Sequence, residues 1–189
     1  MERPKVGVLA LQGDFEAHCR TLELAGARAV EVRSLRELDG IAGLIIPGGE
    51  STTMLKLLKD ENLLEPLREF GARKSIFGTC AGAILLAARV TNPPQESLGL
   101  MDMEVQRNAY GRQVHSHIAR LEDFQGAPLE AVFIRAPIIR QTGPQVRVLA
   151  RYGGSPVLVE QGLHLAATFH PELTEDTRVH KLFLEKIGQ

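Results

Sequence analysis

The chain has no tryptophan, two tyrosines, two cysteines and almost no net charge, and it contains no apolar run approaching the ~20 residues a membrane span needs. Each shortage excludes something. Two cysteines, Cys19 and Cys80, cannot make a disulfide framework, so the fold must rest on its core; a lone reactive thiol fits a reducing cytoplasm. A net charge of −1 gives no basic surface, so nucleic acid is not an expected partner, and neither is a membrane. No G-x-G-x-x-G and no Walker A loop occurs, so no nucleotide site is visible. His115 and His117 alternate along one strand face without an evident third ligand, so neither a metal nor any other cofactor is expected. Met1-Glu2-Arg3-Pro4 runs straight into a strand pattern, which leads us to expect no signal peptide.

What is present is an ordinary globular composition, 44% hydrophobic over 189 residues, enough for one α/β domain (1–189) with a full core and too few for two. Lys5 to Leu11 is a continuous apolar run, the mark of a strand covered on both faces. Asp14 is placed to cap a helix to about Ala25, ended by Gly26. Ala29–Val32 and Gly43–Ile46 read as strands, with a helical turn at Leu35–Leu38 between them. Ser51 is placed to cap a helix to about Lys59; Asn62 to about Arg73 continues helical, and Lys74 to Thr79 is a buried strand followed by a helix from Ala81 to Arg89. Such alternation predicts a parallel sheet with helices on both faces and loops gathered at the strands' carboxyl ends. Beyond Asn92-Pro93-Pro94 come short strands near 103–106, 117–121, 131–134, 146–151, 156–160 and 163–169, divided by turn residues, so this half is antiparallel or mixed. A helix from about Asp176 to Ile187 closes the chain, with Val179, Leu182, Phe183 and Lys186 on one stripe. The expected fold class is α/β: a three-layer α/β/α arrangement around a central mixed, mostly parallel sheet, flavodoxin-like.

The chemistry centres on Phe77-Gly78-Thr79-Cys80-Ala81-Gly82. A cysteine at a strand-to-helix corner flanked by glycines matches the nucleophile elbow with sulfur in place of oxygen, and the helix start behind it favours thiolate. Late in the chain, Phe169-His170-Pro171-Glu172 follows an apolar strand. Proline holds His170 extended, and residues i and i+2 of an extended chain face the same way, so the imidazole and the Glu172 carboxylate would lie side by side as a base and its orienting group. The Pro47-Gly48-Gly49-Glu50-Ser51 loop offers backbone donors for an oxyanion, with the N–H of Gly49 or Gly48 and that of Ala81 as candidates. Taken singly, each has a plainer reading: a packed small cysteine, a surface histidine, a strand-to-helix turn. Together they point to nucleophilic catalysis by Cys80, His170 and Glu172. His18, His164 and His180 have no obvious partners in the sequence, and Cys19 reads as packing.

G-x-C-x-G on an elbow, an upstream P-G-G loop and a late F-H-P-E resemble the class I, triad-type glutamine amidotransferases. Within them, Gly7–Gly13, Pro47–Thr53, Phe77–Gly82, Arg107–Gln113, Phe133–Pro137 and Phe169–Asp176 are similar to the family of glutaminase subunits of pyridoxal 5′-phosphate synthase. Six blocks in order cover nearly the whole chain. The resemblance implies hydrolysis of L-glutamine to glutamate and ammonia through a Cys80 thioester. It implies transfer of the ammonia to a separate (β/α)8-barrel synthase subunit, with twelve glutaminases on a twelve-subunit core. It also implies glutamine contacts at Gly49, Glu50, Ser51, Arg107, Ile134 and Arg135. Where many amidotransferases have glutamine four residues after the nucleophile, this chain has Ile84. The residues alone leave open hydrolysis of γ-glutamyl conjugates, a redox-sensing role for the elbow cysteine and a purely regulatory partner role.

Overall fold

The computed structural model describes residues 2–109 and 116–187. The first half alternates strand and helix: β1 (Lys5–Leu9), α1 (Phe15–Ala25), β2 (Arg28–Val32), β3 (Gly43–Ile46), α2 (Ser51–Asp60), α3 (Leu64–Gly71), β4 (Ser75–Thr79) and α4 (Ala81–Leu86), with a 3-10 turn at Leu35–Leu38. The second half is mostly strand: β5 (Ala87–Thr91), β6 (Met101–Gln106), β7 (His117–Phe124), β8 (Ala127–Phe133), β9 (Ile138–Thr142), β10 (Arg147–Tyr152), β11 (Ser155–Gln161) and β12 (His164–Ala167). A 3-10 turn at Pro171–Leu173 and α5 (Arg178–Ile187) follow.

Among the described residues the main sheet has seven strands in the order β10-β11-β12-β4-β3-β1-β2. The five from β12 to β2 are parallel to their neighbours, and β11 and β10 are added antiparallel at one edge. The fold class is thus the expected α/β arrangement with a mixed, mostly parallel central sheet. Side chains alternate across it. Leu44, Ile46 and Ile76 join the residues of α2, α3 and α4 in one core, while Val6, Val8, Ile45 and Phe77 join Leu22 of α1 and Val179 and Phe183 of α5 in another. Burial on both faces explains why these strands read as unbroken apolar runs rather than alternating ones.

Two smaller sheets carry what the sequence pattern did not separate. The helix after Cys80 ends at Leu86 rather than running to Arg89; Ala87 turns extended, with φ −63° and ψ 143°, and β5 begins. The alanines there suit a helix, but Val90 and Thr91 are β-branched, and pairing with β6 decides the matter. β9, unforeseen, pairs antiparallel with the other side of β6. β7 and β8 form a separate hairpin. These additions hold the end of β6, where Arg107 follows, and the β8-to-β9 connection, where Ile134 and Arg135 lie. Two predicted caps are absent. Asp14 makes no side-chain bond at the start of α1, and Ser51 is the first residue of α2, its hydroxyl donating instead to Gln95 Oε1 at 3.0 Å.

Phe183 shows how the α5 side of the sheet is held. It is fully buried, its ring lies 5.6 Å from that of Phe77, and it packs over Gly43 of β3, where a Cβ would meet its ring edge at 3.1 Å. Phe183→Ala should lower the unfolding free energy by about 3–5 kcal/mol in denaturant titration.

Candidate active site

Strands β12, β4, β3 and β1 are parallel neighbours, so the turns that leave their carboxyl ends meet on one edge of the sheet. From β1 comes Gln12-Gly13, from β3 Pro47–Glu50, from β4 Cys80, and from β12 His170 and Glu172. The turns interlock. A Cβ on Gly13 would run into the carbonyl oxygen of Gly48, and one on Gly48 would strike the His170 ring and approach the Cβ of Cys80 to 3.2 Å. The amide of Glu50 donates to Gln12 Oε1 at 3.0 Å. Gly49 has φ 149° and abuts that same carboxamide.

Cys80 sits at a true elbow, with φ 50° and ψ −104°, a conformation that costs a non-glycine residue about 1–3 kcal/mol. Gly78 and Gly82 make the corner feasible: a Cβ on Gly78 would overlap the backbone of Gly82, and a Cβ on Gly82 the carbonyl of Ile46. The Cys80 amide donates to Ala167 O at 2.8 Å, which fastens the elbow to the end of β12 three residues before His170. The Cys80 thiol donates to Ile134 O at 3.8 Å.

Behind it, His170 Nδ1 lies 2.7 Å from Glu172 Oε1, and both side chains are nearly or fully buried. Burial opposes a charge on His170, but hydrogen bonding to Cys80 and Glu172, together with their charges, outweighs it and pushes the imidazole pKa up to about 10. For Glu172, burial acts to raise the pKa, while His18 and the hydrogen-bonded His170 pull it down, leaving it below the ordinary carboxylate value.

Cys80 and His170 open onto one cavity of about 780 Å³. Its walls also include Gly49, Glu50, Ser51, Arg107, Ile134 and Arg135, so all six residues expected to contact substrate border it. Gln12, Ile84, Asn108, Ser116 and Pro137 also line it. Gly48 abuts His170 and Cys80 but is not itself a lining residue, and neither is the buried Ala81 that follows Cys80 in the chain. Arg107 is steadied by donation to Thr52 Oγ1 at 2.6 Å, and Arg135 is exposed with φ 46°. Residues 110–113 of the Arg107 block, and His115, lie outside the described residues; His117 stacks on Phe133 with ring centres 5.1 Å apart.

Comparison with known proteins gives the family. The model of the SNO glutamine amidotransferase family matches residues 8–189. The chain belongs to the SNO glutamine amidotransferase family. A pyridoxal 5′-phosphate synthase subunit PdxT from Solibacter usitatus is 63% identical over 97% of this chain and 99% of its own length. The same-named subunit from Deinococcus radiodurans is 54% identical over 97% of both chains. A crystal structure of a glutamine amidotransferase superposes with TM-score 0.91 at 49% identity, covering 97% of this chain and 99% of that one.

Three histidines passed over in the sequence do have partners. His164 Nδ1 accepts from the Ile76 amide at 3.3 Å. His18 and His180 are fully buried and face each other, His18 Nδ1 2.9 Å from His180 Nε2. His18 Nε2 lies 3.1 Å from Thr79 Oγ1 and 3.4 Å from Glu172 Oε2. The available signal was helical spacing: His18 falls with Ala17, Thr21 and Leu22 on the buried face of α1, and His180 with Val179 and Phe183 on that of α5. Cys19, by contrast, is half-buried beside the α1 core, and burial pushes its thiol up to about 11.

Glu172→Gln removes a charge that raises the His170 pKa. An NMR titration of the histidine side chains should show this imidazole titrating near 10 in the parent chain and moving down toward 6.5 in the variant. An unmoved titration would show that the carboxylate does not act on the ring.

Proposed function

We propose that this chain is, as one domain over residues 1–189, the glutaminase subunit of pyridoxal 5′-phosphate synthase. It hydrolyses L-glutamine to L-glutamate and ammonia and supplies the ammonia to the synthase subunit for cofactor biosynthesis. The observation that carries the reading is His170, paired with the buried Glu172, opening with the elbow cysteine onto one cavity in a chain of amidotransferase family.

The geometry suggests the sequence of steps. Glutamine enters with its α-carboxylate toward Arg107 and Arg135, whose guanidinium groups suit a carboxylate, and with Glu50 at the rim within reach of the α-ammonium. His170, whose pKa of about 10 makes it the stronger base, holds the Cys80 proton as an imidazolium beside the thiolate before the substrate amide is attacked. The thiolate then adds to the side-chain amide carbon. Charge collecting on the amide oxygen is met by the N–H of Gly49 or Gly48 and that of Ala81, donors fixed before the reaction begins. His170 returns the proton to the departing nitrogen, releasing ammonia and leaving a γ-glutamyl thioester on Cys80. Water, deprotonated by the same imidazole, attacks that thioester; the carbon–sulfur bond breaks, glutamate leaves and the thiol is restored. Glu172 keeps the His170 Nδ1–H aimed away from sulfur, so that Nε2 does the proton transfer, and it steadies the imidazolium.

Ammonia in neutral water is mostly protonated and useless as a nucleophile, which favours delivery through a docked partner rather than through solvent. Family resemblance supports a (β/α)8-barrel synthase as that partner and an assembly of twelve glutaminases on twelve synthase subunits. Two free cysteines suit a cytoplasmic location. Among the described residues no helix is long and apolar enough to cross a membrane.

In the complex with the synthase subunit, Cys80→Ala should lower glutamate release by roughly 10⁴-fold or more while co-elution with the synthase is unchanged. Turnover retained by this variant would remove Cys80 from the mechanism. Equal or faster hydrolysis of folate polyglutamates by the parent complex would reassign the substrate.

A further inference from the structure

Glu172 presents a problem that the three proposed triad residues do not solve. Its side chain is wholly buried; Oε1 is taken by His170, and Oε2 has no hydrogen-bond partner of ordinary geometry. The group facing Oε2 is His18 Nε2 at 3.4 Å, itself backed by His180. We propose that His180 and His18 form a neutral donor relay that ends on Glu172, making His18 a positioning residue for the hydrolysis. This deepens the triad reading given above and rests on it.

The direction of the relay follows from counting donors. A neutral imidazole has one N–H and one lone pair. If His180 donates through Nε2 to His18 Nδ1, His18 must carry its own proton on Nε2, where it donates to Thr79 Oγ1 at 3.1 Å with Glu172 Oε2 3.4 Å from the same nitrogen. The atom left over, His180 Nδ1, is then a bare lone pair, and it is the nitrogen without a partner. The reverse assignment puts a lone pair of His18 against a buried carboxylate and strands a buried N–H on His180. Both faults are costly in a low-dielectric interior, so the first arrangement prevails. Burial keeps both rings neutral. His18 faces Glu172 and Asp14, which favour its charge, and His170, which opposes it, but desolvation is the larger influence. His180 faces burial and His18, which act in the same direction. Edge-on contacts with Phe77, at 6.4 Å from His18 and 5.9 Å from His180, fix the tilt of both rings.

The relay joins four elements: α5 through His180, α1 through His18, the end of β4 through Thr79, and the turn after β12 through Glu172. Thr79 immediately precedes Cys80. A single imidazole therefore sets the carboxylate against the same strand end that sets the nucleophile.

In the synthase complex, His18→Leu should lower kcat by about 10- to 100-fold, the range expected for a donor lost from a buried charge. KM for glutamine should change little. Without the His18 donor the carboxylate is less favoured, so the acidic limb of the kcat–pH profile should move to higher pH by about one unit. His18→Gln, whose carboxamide nitrogen reaches the Nε2 position, should recover most of both changes. An unshifted acidic limb in His18→Leu overturns the proposal, as does a His18→Gln no better than His18→Leu. Nitrogen-15 NMR of the histidine rings in the parent protein tests it without a variant, should His18→Leu fail to fold. Nε2–H tautomers at both His18 and His180 between about pH 6 and 8 are expected, and an Nδ1–H form at His18 or an imidazolium at either ring overturns the relay. His170→Asn keeps the two readings apart. If it retains turnover the triad reading fails, whereas an inactive His170→Asn beside a His18→Leu of unchanged rate and profile overturns the relay alone.

Discussion

The amide of Cys80 donates to the carbonyl of Ala167 at 2.8 Å, completing the parallel pairing of β4 with β12. Most of the candidate site depends on that pairing. The two strands are far apart in sequence, and only their adjacency in the sheet places an elbow cysteine and a histidine on the same edge. Parallel strands cannot be joined by a tight turn, so everything between them must form crossovers, and the chain uses that length to build the smaller sheets that carry Arg107, Ile134 and Arg135. The scaffold and the pocket wall are therefore products of one topological fact.

The second constraint is electrostatic. A carboxylate with no exposed surface must find partners inside the protein, and Glu172 finds imidazoles on both sides. The cost of burying this charge is offset by hydrogen bonding and by helices α1 and α5, whose apolar faces against the sheet bring His18 and His180 to the place where the charge lies. Packing of the outer layer and chemistry at the strand ends are thus coupled through the interior; among the described residues, none that lines the cavity belongs to those helices.

Much of the fold was legible because buried parallel strands leave continuous apolar runs, and because glycine and proline punctuate them. The runs at Lys5–Leu9, Gly43–Ile46 and Ser75–Thr79 were plain for that reason. β5 and β9 were not: an alanine-rich helix end passes into β5 without a break, and Ile138–Thr142 lacks strict alternation although Pro137 and Gly143-Pro144 flank it. Both are strands because β6 lies between them, a long-range cause that local pattern does not record. Cys80, His170 and the Gly49–Ser51 loop sit in Gly- and Pro-marked motifs and could be named from the residues; Arg107, Ile134 and Arg135 came from the family resemblance, and Asn108, Ser116 and Pro137, which also line the cavity, were not named as site residues. His18 and His180 could not be paired, because 162 positions separate them and each lies on an otherwise ordinary helical face.

In the proposed mechanism Cys80 carries the glutamyl group between ammonia release and water attack. Acid-quenched turnover in the synthase complex, followed by peptide mass spectrometry, tests it most directly. A γ-glutamyl group on the peptide containing Cys80, forming and decaying at rates compatible with turnover, is the expected result. Glutamine consumption with no such adduct, or with the adduct on another residue, would contradict it.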